Sequence, residues 1–181
     1  MANKDFTLTS ELLRELLDYD PETGVFVWKP RPVKYFSSKQ SFSCWNNKYS
    51  GQVAGRAHSC GYWELIVLYK RIYAHRAAWL YVYGEPPKGV MDHINGNRRD
   101  NRICNLRIAT HSQNCWNMRT GGRGTSRFKG VSFHKKGQCW RAQIGFNGEN
   151  IHLGSYSSEK DAANAVQSAR EGLHKEYACH D

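Results

Sequence analysis

The stretch VMDHINGNRRDNRICNLRIATHSQN, Val90 to Asn114, sets an aspartate beside a histidine and follows them with a string of asparagines. Three things could be built from it: a polar turn, a contact surface for nucleic acid, or a metal centre that cuts a backbone. Cutting a phosphodiester needs a base that deprotonates water and a group that stabilises the departing 3′ oxygen. A neutral histidine can do the first and a divalent cation the second. A hard cation such as Mg²⁺ accepts oxygen ligands and keeps several waters, so one carboxylate and one amide oxygen suffice. Asp92 and Asn114 have the right atoms, and His93 could be the base. Asn105, on a following strand, could hold the imidazole in one tautomer. Neighbours on a strand point to opposite faces, so Asp92 and His93 can cooperate only where the strand ends; Asn95-Gly96-Asn97 supplies such an ending. Any Asp, His and two Asn fit this description, so the residue types permit the centre without selecting it.

The elements that must position these groups give an α+β chain. Gly89-Val90-Met91 reads as a brief strand delivering Asp92 and His93, and Ile103 to Ile108 as a second strand. Thr110-x-x-Gln113 is a capping box opening a helix that carries His111 and Asn114. Upstream, Leu8, Leu12, Leu13, Leu16 and Leu17 recur at helical spacing, with Thr9 or Ser10 as cap. A turn at Asp20 to Gly24 leads into the strand Val25 to Trp28. Residues 29–55 show little periodicity, with Trp45 as their anchor. Tyr62 to Tyr69 and Ile72 to Ala74 flank a Lys70-Arg71 turn, predicting a hairpin. Arg76 to Tyr83 is a short apolar helix ended by Gly84 and Pro86-Pro87. His75 opens it, either packed or capping, or else as a phosphate contact.

The segment TGGRGTSR, Thr120 to Arg127, is the strongest linker signal. It separates residues 1–119, whose strand–strand–helix core occupies about 88–119, from residues 128–181. The latter predict three strands, Gly130–His134, Trp140–Phe146 and Asn150–Tyr156, and a helix capped at Ser158 with an alanine-rich apolar face.

The net charge is +10, from 26 Lys and Arg against 16 Asp and Glu. From Lys29 to Arg141 there are 21 basic residues and only Glu64, Glu85, Asp92 and Asp100 as acids. That is a footprint for a polyanion, nucleic acid above all. No apolar run approaches a membrane span, and MANKDFTLTS has no hydrophobic signal core, so a cytoplasmic location is the expectation. The six cysteines are scattered without a C-x-x-C pair, which argues against structural zinc and against a disulfide framework. Trp116, Trp140 and Tyr156 are expected to pack rather than stack on bases.

His75-Arg76-x-x-Trp79, followed by DHINGNRRDNRICNLRIATHSQN, resembles the HNH endonucleases of the phage and intron-encoded homing type. Tyr19 to Trp28, YDPETGVFVW, also looks like the N-terminal part of some phage members, as a β-rich extension of the nuclease module. The resemblance implies a ββα-metal core with His93 as general base, Asp92 as metal ligand, Asn105 orienting His93, and Asn114 as second ligand. His111 is a reserve ligand. The implied cofactor is Mg²⁺ or Mn²⁺, and the implied partner is double-stranded DNA, bound by a monomer.

Residues 128–181 resemble the plant ethylene-response-factor DNA-binding domain through FKGV (Phe128 to Val131), WRAQI (Trp140 to Ile144), IHLGSY (Ile151 to Tyr156) and an A-A-x-A-V helix. That domain reads DNA from a three-stranded antiparallel sheet. Several of its reading arginines are absent here, where Ser132, Gln143, Gly145, Asn150 and His152 stand at sheet positions. Candidate DNA contacts are Arg76, Arg98, Arg99, Arg102, Arg107, Lys129, His134 and Arg141, with only Asp100 to neutralise the arginine cluster. A metal-dependent DNA endonuclease is the leading expectation. The alternatives are a DNA-binding regulator that has lost activity and an RNA-directed nuclease.

Overall fold

The computed structural model describes residues 7–118 and 124–178. Contacts divide the chain into two compact units, Met1–Ile108 and Ala109–Asp181. This division places the helix that carries Asn114 in the second unit, whereas the glycine-rich segment points to a boundary at 120–127. The reason is local: the Lys129 ammonium donates to the carbonyls of Cys115 (2.9 Å), Trp116 (2.8 Å) and Met118, capping the helix from within that unit. Residues 119–123 of the linker segment lie outside the described residues.

In the first unit, α1 (Ser10–Leu16) starts where Thr9 accepts from Leu12 N, and its leucines form the core side. The chain passes directly into β1 (Leu17–Asp20), which pairs antiparallel with β2 (Val25–Trp28). Residues 39–49, without periodicity in the sequence, form the helix α2 (Lys39–Tyr49). A Ser38/Ser41 capping box starts it, and its apolar side is a thin aromatic stripe, Phe42, Trp45 and Tyr49, none of it fully buried. The short β3 (Arg56–Ala57), β4 (Trp63–Val67) and β5 (Lys70–Tyr73) make an antiparallel sheet in that order. The hairpin turn falls at Leu68-Tyr69, two residues before the expected Lys70-Arg71. The helix α3 (Ala74–Tyr83) ends on Gly84 at φ 80°, the left-handed cap that glycine adopts without strain.

β6 (Val90–His93) and β7 (Leu106–Ala109) form a two-stranded sheet, and β7 is preceded by a 3-10 turn at Ile103–Asn105 rather than by more strand. The core gathers Leu13, Leu16, Phe26, Leu65, Ala77, Met91 and Leu106. In the second unit α4 (His111–Asn117) begins with the expected Thr110/Gln113 capping box. β8 (Val131–His134), β9 (Cys139–Phe146) and β10 (Glu149–Tyr156) form an antiparallel sheet with β9 central, and α5 (Glu159–Leu173) packs on it. The three strands and the helix are those read from the sequence. Their buried core is small: Val131, Ala142, Ala162 and Val166.

The β1–β2 turn supports the loop after β6. Gly24, at φ 72°, lies so close to that loop that a Cβ would sit 2.4 Å from Arg102 N and 2.5 Å from the Asn101 carbonyl carbon. Gly24→Ala should therefore destabilise the protein by at least about 2 kcal/mol, through a backbone clash and an unfavourable φ together. Urea unfolding measures this, and a midpoint equal to wild type would show that the hairpin does not brace the loop.

Candidate active site

Asp92 and His93 are the last two residues of β6, and each is only 5% exposed. Beyond them the loop to β7 is held by amides. Asn95 Oδ1 accepts from Asn97 N, Asn97 Oδ1 from Arg99 N, and Asn95 Nδ2 donates to Asp100 Oδ2 at 2.7 Å. The asparagines are thus local turn-formers, as their side chains favour.

The resemblance assigns Asn105 the task of orienting His93, but its amide is used otherwise. Oδ1 accepts from Asn95 N (3.0 Å), and Nδ2 donates to Asn95 Oδ1 (3.1 Å) and the Asp100 carbonyl (2.9 Å). Asn105 closes the loop, and its carbonyl accepts from Ile94 N, next to His93. Asn101, 3% exposed, is buried close to the His93 ring, and its Nδ2 donates to the Arg99 carbonyl at 3.1 Å. Tyr19 of the N-terminal hairpin donates its hydroxyl to the Asn101 carbonyl at 2.8 Å. Asn101 is one more asparagine in an asparagine-rich run, and only its depth distinguishes it. Tyr19 is 82 positions away, beyond any local pattern.

Burial pushes the His93 imidazole below its ordinary value; the nearby Asn101 amide and the charges of Asp92 and Asp100 oppose this, and Arg98 adds to it. A neutral ring at neutral pH is the state a general base needs. His75 packs beside it, with ring centroids 5.1 Å apart at 76°. Tyr73 stacks on His75 at 5.7 Å and Tyr62 lies 5.1 Å from it. His75 is therefore the packed histidine of the two readings, and its buried Nδ1 makes no hydrogen bond among the described residues. Burial first, then His93 and Arg76, push His75 from 6.5 to about 3.

Asp92 is answered by Arg107: Nε and Nη2 both lie 2.8 Å from its Oδ2. Arg107, a candidate phosphate contact, is thus engaged within the site. Arg102 is likewise committed, forking onto Asp100 with Nε at 2.8 Å and Nη2 at 2.6 Å. This fork is the main reason that the Asp100 carboxyl is drawn down to about 2. One acid neutralises its neighbour efficiently after all. Arg98 donates to the Cys60 carbonyl (3.0 Å) and lies over Tyr62, while Arg99 is exposed. Arg76 is half-buried and lines a cavity of about 380 Å³ with His58, Arg71 and Tyr73.

In the second unit Lys129 caps α4, and His134 accepts from Gly137 N (3.1 Å) in the β8–β9 turn. Arg141 is exposed on β9, paired with Ser132 and Ser155; Gln143 pairs with His152 and Gly145 with Asn150, so these polar residues share the face turned away from Ala142 and Ile144. Trp116 stacks on His174 at 4.4 Å and Trp140 packs on Phe133, as expected of packing rings. Asn114 is half-buried on α4, and His111 is exposed, with Nε2 3.7 Å from Cys115 Sγ. No three His, Cys, Asp or Glu among the described residues are grouped to hold a metal. Asp92 offers carboxylate oxygens, the kind of ligand that suits a hard cation.

Neutral His75 supports the fold above pH 6.5, and that support is lost progressively as pH falls from 6.5 toward about 3. The loss should reach up to about 4 kcal/mol at the acid end. His75→Phe should show a flatter dependence of urea midpoint on pH in this window; an unchanged slope would refute the assignment. Arg107→Gln should destabilise by about 2–3 kcal/mol, since it withdraws a cation from a buried carboxylate. The same substitution should tighten Mn²⁺ binding in calorimetry; weaker binding would mean that Arg107 does not compete for Asp92.

Residues 72–115 match the HNH endonuclease family. The chain is 34% identical over 111 residues to Protein 3.8 of Escherichia phage T7, across 61% of this chain and 91% of the phage protein. No solved structure matches significantly. Neither similarity relates the three-stranded sheet to the plant ethylene-response-factor family. The HNH segment includes Asp92, His93, Asn105 and Asn114, and the likeness to the phage protein extends over nearly all of that protein. The chain therefore belongs to the family of T7 Protein 3.8 and carries an HNH endonuclease domain at residues 72–115.

Proposed function

We propose that the protein is a divalent-metal-dependent endonuclease of the phage homing type, cutting or nicking double-stranded DNA as a monomer in the host cytoplasm. The observation that carries this reading is the pair of buried, adjacent groups at the end of β6: a carboxylate, and an imidazole whose burial favours the neutral form. His93 takes the proton from the attacking water. Asn105 positions the ring by closing the loop, with Asn101 buried close to it. Asp92, with Asn114 as the family resemblance assigns it, would hold Mg²⁺ or Mn²⁺. When bound, such a cation would supply positive charge toward the leaving 3′ oxygen. Arg107 compensates the Asp92 charge before a cation does.

DNA contacts fall to the basic side chains that are not tied into the fold. Arg99 is exposed beside the site loop, and Arg76 stands at a cavity close to His75. Arg141, with Gln143, Asn150 and His152, makes an open polar sheet face suited to a second DNA contact, in the manner of the plant domain that it resembles. The rival reading, a DNA-binding regulator without activity, has one observation in its favour: Arg107 already neutralises Asp92.

Supercoiled plasmid with Mg²⁺ or Mn²⁺ separates the two. Wild type should nick or linearise it, and His93→Ala should slow this by about 100-fold or more, the usual contribution of a general base. Asp92→Asn should lose Mn²⁺ binding in calorimetry together with the activity. Equal cleavage by wild type and His93→Ala would sink the assignment of the base. Tight DNA binding with no cleavage by wild type would establish the regulator, and preferential cleavage of RNA the third alternative.

A further inference from the structure

The β4–β5 hairpin turns on Leu68 and Tyr69, with Val67 directly opposite Lys70. Both turn residues have left-handed backbones, φ 45° and 70°, in a two-residue turn that usually takes Asn-Gly. Leu68 has a reason to be there, since its side chain enters the core at 7% exposure. Tyr69 has no such reason within the fold: it is 92% exposed. A bulky ring kept in a strained backbone position and shown to solvent points to a use outside folding.

Tyr69 also lines a cavity of about 530 Å³, together with Trp28, Trp45 and Tyr49. In it the Arg31 guanidinium stacks on Trp45 at 3.8 Å, with Trp28 at 5.4 Å. Asn46 clamps the Arg31 main chain from both sides, accepting from its N–H at 2.7 Å and donating to its carbonyl at 3.1 Å. The Arg31 Nε is buried and makes no hydrogen bond among the described residues. The acid in the lining, Glu64, is 4% exposed and already paired with Arg56 at 3.1 Å, so it does not answer Arg31.

These groups ask for one kind of occupant. An apolar peptide would cover the rings but leave a buried guanidinium donor unmet, which is costly. A bare phosphate would meet the guanidinium but leave the rings wet. A nucleotide offers both a planar face and acceptor atoms with negative charge. In a duplex the base faces are stacked on one another, so the nucleotide must be unpaired. We propose that this groove binds an unpaired nucleotide of a single-stranded DNA segment, its base stacked on the exposed aromatic rings and its acceptors turned to Arg31. The inference rests on DNA being the substrate, and it names a second site for that substrate, built from α2 and the β4–β5 turn.

The test uses the full-length protein and a short thymidine oligonucleotide carrying one 2-aminopurine, alone or annealed to its complement. Stacking in the groove should quench 2-aminopurine in the single strand. Tyr69→Asn should weaken single-strand binding about tenfold, as expected for loss of one base–aromatic stack. It should not lower the melting temperature, because Asn tolerates the left-handed backbone. Arg31→Lys, which keeps the charge and loses the planar fork, should also weaken it. The proposal is overturned if wild type does not quench the probe, if Tyr69→Asn binds the single strand as wild type does, or if it loses duplex binding equally. Tighter binding of the matched RNA strand would overturn the assignment to DNA. Single-strand quenching by a wild-type protein that cuts no plasmid would leave this site standing while the nuclease reading falls.

Discussion

A carboxylate and an imidazole stand side by side at the end of one strand, both withdrawn from water, and the first unit is arranged around the cost of that. A buried carboxylate needs a cation, and Arg107 supplies it from the neighbouring strand. A buried imidazole is pushed toward neutrality, and the rings of Tyr62 and His75 pack beside it, with Tyr73 stacked on His75. The remaining polarity near the ring comes mainly from amides, which bond without adding charge. That is why asparagine rather than aspartate dominates the loop: each added carboxylate would raise the histidine and draw in another arginine, as Asp100 draws Arg102.

The same pairing occupies several of the basic residues of the chain. Many of the arginines that a charge count would give to DNA are tied within the fold, Arg107 to Asp92, Arg102 to Asp100 and Arg98 to a backbone carbonyl. Lys129 is a helix cap. The basic side chains open to a polyanion are fewer than the 26 Lys and Arg of the chain, and they include Arg99 and Arg141. Arg31 is a separate case, because its stacking on Trp45 leaves a cation in an aromatic setting without a counter-charge.

Much of the architecture was legible because it is encoded by near neighbours. Thr9, Thr110 and Ser158 cap the helices they were expected to cap, Gly84 ends α3, and strict alternation marks β9. The misses share a cause. The aromatic stripe of α2, Phe42, Trp45 and Tyr49, is thin and set among Ser, Asn and Lys, and the Leu68-Tyr69 turn breaks the residue preferences by which such turns are recognised.

Residue types and spacing alone brought Asp92 and His93 forward, together with the kind of chemistry that a carboxylate, a histidine and amide oxygens can perform; those are properties of the side chains themselves. The family segment then gave roles to Asn105 and Asn114. Only the tertiary structure decided that the Asn105 amide closes the loop after β6, that Tyr19 bonds to Asn101 from 82 positions away, and that Arg107 faces a carboxylate. Hydrogen bonds and ion pairs are short-ranged in space, and residues far apart in a chain become neighbours only when the packing of the hydrophobic core sets the elements side by side.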